Sequence, residues 1–244
     1  IASIRKIGFA GASMTDGLML RVNDAFKPDL FVNHYGSSEV YTFTICQNAP
    51  AKPGSAGKAG INQQIRVVKL GSTNPDDLCG ADEEGQIVAT LAGDEAFCGY
   101  WRRPDADTKA LHNDWYFTGD TGHFDVDGDL FVTGRVDDMI ITGGENVFPA
   151  EIGNILSLHP AVAEVAVAGL RDERLGQKVV AFIKRRALVD ADALDAHCRQ
   201  SGVANFKRPR NYQFVEEIPK SPVGKILRRK LVAGEVIPES GVKS

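Results

Sequence analysis

Near Arg135–Asp138 the chain changes texture, and that change limits what each side of it can fold into. From about Cys46 to Gly134, short alternating segments such as Ile65–Leu70, Gly85–Leu91 and Asp129–Gly134 are separated by glycine-rich turns. Period-two alternation with frequent turn residues predicts a β-rich subdomain. After Asp137 the apolar runs are interleaved with amphipathic stretches, the pattern of an α/β layer. The expected organisation is a domain over residues 1–136, with residues 45–134 as its β-rich part, and a second domain over residues 137–244. The predicted fold class is α/β with a β-rich subdomain.

Ahead of the glycine-rich region, Ile7–Ala10 reads as a buried strand, Leu18–Phe26 as an amphipathic helix stopped by Pro28, and Leu30–Asn33 as a second strand. A strand, a helix and a strand in this order form a parallel pair with its loops gathered at one end. Within the β-rich part, Asp127-Gly128 marks the turn of a hairpin. Asp125, Asp127 and Asp129 alternate there, but the glycine position and the missing bidentate glutamate argue against a calcium loop. Beyond the boundary, helices are expected over Pro149–Leu158, Asp190–Gln200 and Gly224–Val232. Val162–Leu170 and Lys178–Arg186 are expected to pair as strands, with another strand over Asn211–Ile218.

Composition narrows the function classes. A formal net charge of −4 over 244 residues lacks the basic footprint of a nucleic-acid binder. The basic clusters at Lys184–Arg186, Lys207–Arg210 and Arg228–Lys230 are not interleaved with aromatics. No apolar run reaches the roughly 18 residues of a membrane span. The four cysteines, Cys46, Cys79, Cys98 and Cys198, show no zinc-ligand spacing and read as reduced thiols. A cytoplasmic location is expected. The P-loop, nucleophile-elbow and dinucleotide-binding patterns are all missing.

Five polar loops remain, in fixed order: Asn33–Glu39, Tyr116–Asp120, Gly134–Asp137, Gly143–Asn146 and Pro222–Lys225. In this order and spacing they resemble the core motifs of the adenylate-forming superfamily, which includes acyl-CoA synthetases, luciferases and peptide-synthetase adenylation domains. The run from Gly134 to Ile152 and the Phe206–Pro209 segment look most similar to aroyl-CoA ligases of the 4-chlorobenzoate type. The resemblance implies part of that family's large AMP-binding domain followed by its small α+β C-terminal domain. It also implies a two-step reaction: a carboxylate and ATP give an acyl-adenylate and pyrophosphate, and coenzyme A then displaces AMP.

Residue roles follow from the same resemblance. ATP and AMP would be held by Gly11, Ala12, Ser13, Asn33, His34, Tyr35, Gly36, Ser37, Ser38, Asp120 and Arg135. Tyr35 would stack on adenine and Gly36 would let the backbone approach closely. Ser37 and Ser38 would meet the α-phosphate, while Asp120 and Arg135 would hold the ribose. Glu39 would bind Mg²⁺, a hard cation suited to carboxylate oxygen. Lys225 would be catalytic, its ammonium stabilising charge that grows on the α-phosphoryl oxygens during attack. Asp137 matches the family's hinge. Gly143, Gly144, Phe206, Lys207 and Arg208 would serve coenzyme A, although Leu175 stands where close aroyl-CoA ligases can carry an aromatic.

The family also carries a phosphate loop and an acyl-gating aromatic upstream of the Asn33–Glu39 motif, and residues 1–33 contain neither. The expectation is a C-terminal half, inactive alone, whose partners are the missing N-terminal half, ATP, coenzyme A and a carboxylic acid, with an aromatic acid the first choice. A homodimer is a further expectation. Two alternatives stand beside the ligase: adenylation with transfer to a carrier-protein thiol, and a non-catalytic nucleotide-binding fragment.

Overall fold

The computed structural model describes residues 3–222 and 224–239. Its chain divides into two compact units, residues 1–13 with 19–137 and residues 14–18 with 138–244.

Strand β1 (Lys6–Ala10), helix α1 (Asp16–Phe26), which belongs to the first unit from Met19 onward, and strand β2 (Leu30–Tyr35) follow the predicted order. The two strands pair in parallel from Lys6↔Leu30 to Ala10↔His34. Lys27, at φ +45°, ends α1 ahead of Pro28. Because the strands run the same way, the Gly11–Ser13 and Gly36–Glu39 loops leave from the same end. Next come β3 (Thr44–Cys46), β4 (Ser55–Ala59), β5 (Ile65–Val68) and β6 (Gly85–Thr90), then α2 (Pro104–Ala110), β7 (Leu111–His112), β8 (Trp115–Phe124) and β9 (Leu130–Arg135). The parallel pair and the glycine-rich strands form one sheet of order β1-β2-β3-β4-β9-β8-β6-β5, with β7 beside β8. Strands β3 and β4, too short and glycine-bearing to read as strands, join the two regions.

The β8–β9 hairpin turns at Asp127-Gly128 as expected, with Gly128 at φ +77°. Its three aspartates gather around the ammonium of Lys52, which lies 3.0 Å from Asp127, 2.9 Å from Asp129 and also against Asp125. A side-chain cation therefore fills the point on which these carboxylates converge.

The second unit holds β10 (Ile140–Thr142), β11 (Glu145–Val147), α3 (Pro149–Ser157), β12 (Val162–Asp172), β13 (Gly176–Arg185), α4 (Ala191–Gln200), β14 (Asn211–Phe214) and α5 (Arg228–Val232). The expected β12–β13 pair is antiparallel and long, and β14 adds in parallel along β13. One face of these strands, including Val165, Val167, Val179 and Ile183, packs with Ile152 and Leu156 of α3 and Leu194 and Cys198 of α4. The opposite face, Ala166, Ala168, Val180 and Phe182, packs with Val215, Ile218 and Leu231. Burial on both faces explains why β12 and β13 read as nearly continuous apolar runs. Asp190 caps α4, its carboxylate accepting from the Ala193 amide at 2.8 Å.

Most bounds fall within about two residues of expectation, and two differ by four. The strand from Asn211 stops at Phe214 rather than Ile218, where the chain turns toward Pro219. The basic helix begins at Arg228 rather than Gly224, because Gly224 takes φ +83° and Ser221 and Lys225 close a tight turn.

Candidate active site

Strands β8 and β9 place Asp120 directly across from Arg135 in the sheet register. Arg135 donates to Asp120 Oδ1 at 3.0 Å, and the hydroxyl of Tyr35, at the end of β2, donates to Asp120 Oδ2 at 2.6 Å. Both carboxylate oxygens are thus used to bring three elements together. The Asp120 side chain is 17% exposed and that of Arg135 is 54% exposed, so the guanidinium forms the open side of the cluster. Burial and the adjacent Asp120 charge push the Tyr35 phenol well above its ordinary range, keeping it a neutral donor.

Two glycines are demanded by close approach. Gly119 sits at φ +74°, and a Cβ there would lie 2.9 Å from the Arg135 guanidinium. A Cβ on Gly36 would lie 1.8 Å from the Tyr41 carbonyl oxygen, so the fold itself requires glycine where nucleotide approach was the expectation. The loop after Gly36 is closed by Ser37, whose hydroxyl accepts from the Glu39 and Val40 amides at 3.1 and 3.2 Å. Glu39 is half-buried, and Tyr100 donates its hydroxyl to Glu39 Oε1 at 2.8 Å. Burial pushes the Glu39 carboxyl upward, but the Tyr100 and Ser37 hydrogen bonds outweigh it and hold the group below its ordinary value.

The remaining expected nucleotide residues lie around the same loops. Asn33 donates its side-chain amide to the Ser55 carbonyl at 3.0 Å. His34 contacts the Thr42 hydroxyl at 3.3 Å and sets its ring edge against Tyr41. Ser38 is exposed, as are Gly11 and Ser13, and Ala12 is half-buried.

The second unit carries the other expected residues. Lys225 is exposed beside a glycine turn that is fastened by Ser221 N to Lys225 O at 2.8 Å. Gly143 and Gly144, at φ +61° and +87°, are the two-residue turn of the β10–β11 hairpin. The Gly143 amide donates to the Leu175 carbonyl at 2.9 Å. Lys207 grips both oxygens of Glu151, at 2.9 and 2.8 Å, and Arg208 pairs with Asp195 at 2.9 Å. The ring of Phe206 packs against the core. Beside Leu175 lies an open groove of about 640 Å³, lined by Arg171, Arg174, Lys178 and Arg210 together with Asp172 and Glu173. Asp137 is exposed and is the last residue of the first unit.

Residues 151–225 match the family of AMP-binding enzyme C-terminal domains. Over 248 residues, 99% of the chain, the sequence is 35% identical to a 4-chlorobenzoate–CoA ligase of Arthrobacter sp, covering 47% of that protein. It is 37% identical over 262 residues to the 4-chlorobenzoate–CoA ligase of Pseudomonas sp. strain CBS-3, again spanning 47% of it. The chain belongs to the adenylate-forming family. Its fold superposes with a TM-score of 0.84 on the anthranilate CoA ligase AuaEII solved with anthranoyl-AMP, at 29% identity, covering 94% of this chain and 44% of that one. The chain spans about half the length of the curated relatives it matches.

The Glu39 carboxylate, held on Oε1 by Tyr100, is of the hard oxygen ligand type that suits a divalent cation such as Mg²⁺. Neither Tyr100 nor the basic groove is legible in the sequence. Tyr100 falls between a glycine and a tryptophan, with no spacing that points to Glu39, 61 residues away. Arg171, Arg174, Lys178 and Arg210 lie on β12, the turn after it, β13 and the segment before β14, and only strand pairing collects them.

Proposed function

We propose that this chain supplies the AMP-binding cradle and the catalytic lysine of an ATP-dependent acid–CoA ligase acting on an aromatic carboxylate. The cluster of Tyr35, Asp120 and Arg135 carries this reading. Three residues named for one nucleotide, 85 and 15 positions apart in sequence, meet around one carboxylate. Relatives named for 4-chlorobenzoate and a neighbour named for anthranilate support an aromatic acid.

In the first step a carboxylate oxygen attacks the α-phosphorus, the bond to the pyrophosphate oxygen breaks, and pyrophosphate leaves. Asp120, already oriented by Tyr35 and Arg135, accepts hydrogen bonds from the ribose hydroxyls, and Arg135 adds donors from the open side. Lys225 supplies positive charge as negative charge accumulates on the phosphoryl oxygens. Glu39 would hold Mg²⁺, which when bound would neutralise phosphate charge. In the second step the coenzyme A thiolate attacks the acyl carbonyl and AMP departs. The groove lined by Arg171, Arg174, Lys178 and Arg210 offers cations to the coenzyme's phosphates. Asp137 serves as the hinge between the two half-reactions.

Pyrophosphate–ATP exchange on the complete polypeptide, with benzoates, 2-succinylbenzoate and fatty acids in turn, tests the proposal. Exchange that depends on an aromatic acid, followed by thioester formation with free coenzyme A, is the expected result. Exchange with no acid at all overturns the reading. Thioester formation only on a carrier protein replaces coenzyme A as the acceptor. A Lys225→Ala change should abolish exchange while sparing thioester formation from pre-made acyl-adenylate.

A further inference from the structure

The segment from Ala96 to Tyr100 is fastened to the Glu39 loop at three points. Ala96 and Val40 form an antiparallel bridge, the Phe97 amide donates to the Glu39 carbonyl at 2.8 Å, and the Tyr100 hydroxyl donates to Glu39 Oε1 at 2.8 Å. Backbone and side chain of Glu39 are therefore held by one neighbouring segment. Tyr100 is itself held. Its amide donates to Asp107 Oδ1 of α2 at 2.8 Å, and its ring meets the Phe97 ring edge-on with centroids 4.9 Å apart. Phe97 packs in turn on Tyr116, at 5.6 Å. Gly99 turns the chain at φ +129°, where a Cβ would lie 3.1 Å from the Asp107 carboxylate. The path from α2 to the Glu39 carboxylate is thus continuous.

We propose that Tyr100 is a positioning residue that fixes the Glu39 carboxylate for a divalent cation. The inference rests on the reading of Glu39 as the cation ligand and names the group that prepares it. A glutamate free to rotate loses rotamer freedom when it binds, and that loss is subtracted from the binding free energy. A tyrosine hydroxyl on one carboxylate oxygen restricts the rotation beforehand and sets the direction of the remaining lone pairs. Partners of metal-binding carboxylates typically change metal affinity by about 10–100-fold when removed. One neutral donor on one oxygen belongs at the lower end of that range.

Mn²⁺ titration followed by water-proton relaxation, with AMP present and on the complete polypeptide, reads cation affinity without turnover. Glu39→Gln should lose Mn²⁺ binding, and Tyr100→Phe, which keeps the ring and removes only the hydroxyl, should weaken it about tenfold. AMP affinity in EDTA should stay unchanged in Tyr100→Phe, a separation that a general loss of packing would not give. Unchanged Mn²⁺ affinity in Tyr100→Phe, with binding lost in Glu39→Gln, overturns the positioning role and leaves Glu39 as the ligand. Undiminished Mn²⁺ binding in Glu39→Gln, or none in the unaltered protein, overturns both. Should Tyr100→Phe fail to fold, Asp107→Ala, which frees the Tyr100 backbone, should weaken Mn²⁺ binding in the same direction; unaltered affinity in it overturns the role.

Discussion

Tyr35 donates its hydroxyl to Asp120 Oδ2 at 2.6 Å, joining the end of a parallel strand to the open end of an antiparallel hairpin 85 residues away. Its removal in Tyr35→Phe takes a donor from a mostly buried carboxylate, and hydrogen bonds to charged groups are worth about 1.5–3 kcal/mol. AMP binding measured by calorimetry should weaken about tenfold. Affinity equal to that of the unaltered protein would show that Asp120 does not need Tyr35 for its orientation.

Gly36 and Gly119 should respond differently to alanine. At Gly36 the added Cβ meets a backbone carbonyl at 1.8 Å, which cannot rotate away, so Gly36→Ala should cost about 3 kcal/mol or more in urea denaturation. At Gly119 it meets the movable end of Arg135, and the left-handed backbone adds only about 1–2 kcal/mol. Gly119→Ala should therefore fold but bind AMP less well, by displacing Arg135. A larger stability loss at Gly119 than at Gly36 would contradict this ordering.

His123 of β8 meets Glu84 Oε1 at 2.9 Å, while Glu84 Oε2 accepts from Thr133 of β9 at 2.9 Å. The Glu84 hydrogen bond, opposed by burial, raises the His123 imidazole above its ordinary 6.5. A raised folded-state value gives stability that is fully present below the unfolded value and is lost as pH rises through the folded one. The melting temperature should therefore decline from about pH 6.5 upward, and Glu84→Gln should flatten that decline. Parallel curves for the two proteins would remove the pair as its cause.

Lys52 holds together three carboxylates whose ligand atoms lie within 4.8 Å of one another. Hydrogen bonds to Asp125, Asp129 and Asp127 raise the ammonium above its usual range, so it stays charged. Lys52→Met should lower the melting temperature by leaving like charges side by side, and millimolar Ca²⁺ should restore part of the loss. A melting temperature indifferent to Ca²⁺ in the variant would mean that the aspartates spread apart once the lysine is gone.

Much of this was written locally. The β12–β13 pair, α3, α4 and the Asp127-Gly128 hairpin were legible because residues close in sequence share one periodicity and one set of turn signals. Motif order likewise pointed to Tyr35, Asp120, Arg135 and Lys225 without any coordinates. Local pattern alone did not reveal the continuity of the first sheet, because β3 has three residues and β4 carries a glycine, so neither has enough alternation to read as a strand.

The structure also adds a packing reason for some residues and supplies others. Gly36 is required by the Tyr41 carbonyl, a contact that depends on how its loop folds back. The Tyr100–Glu39 contact, the Lys52 cage and the basic groove each bring together segments that are distant in sequence. The sequence alone determined most of the longer strands and helices and which loops carry polar chemistry, since those follow from interactions within a few turns of chain. Only the tertiary structure decided which of those side chains meet, because hydrogen bonds such as Tyr35 to Asp120 depend on how strands distant in sequence are ordered within one sheet.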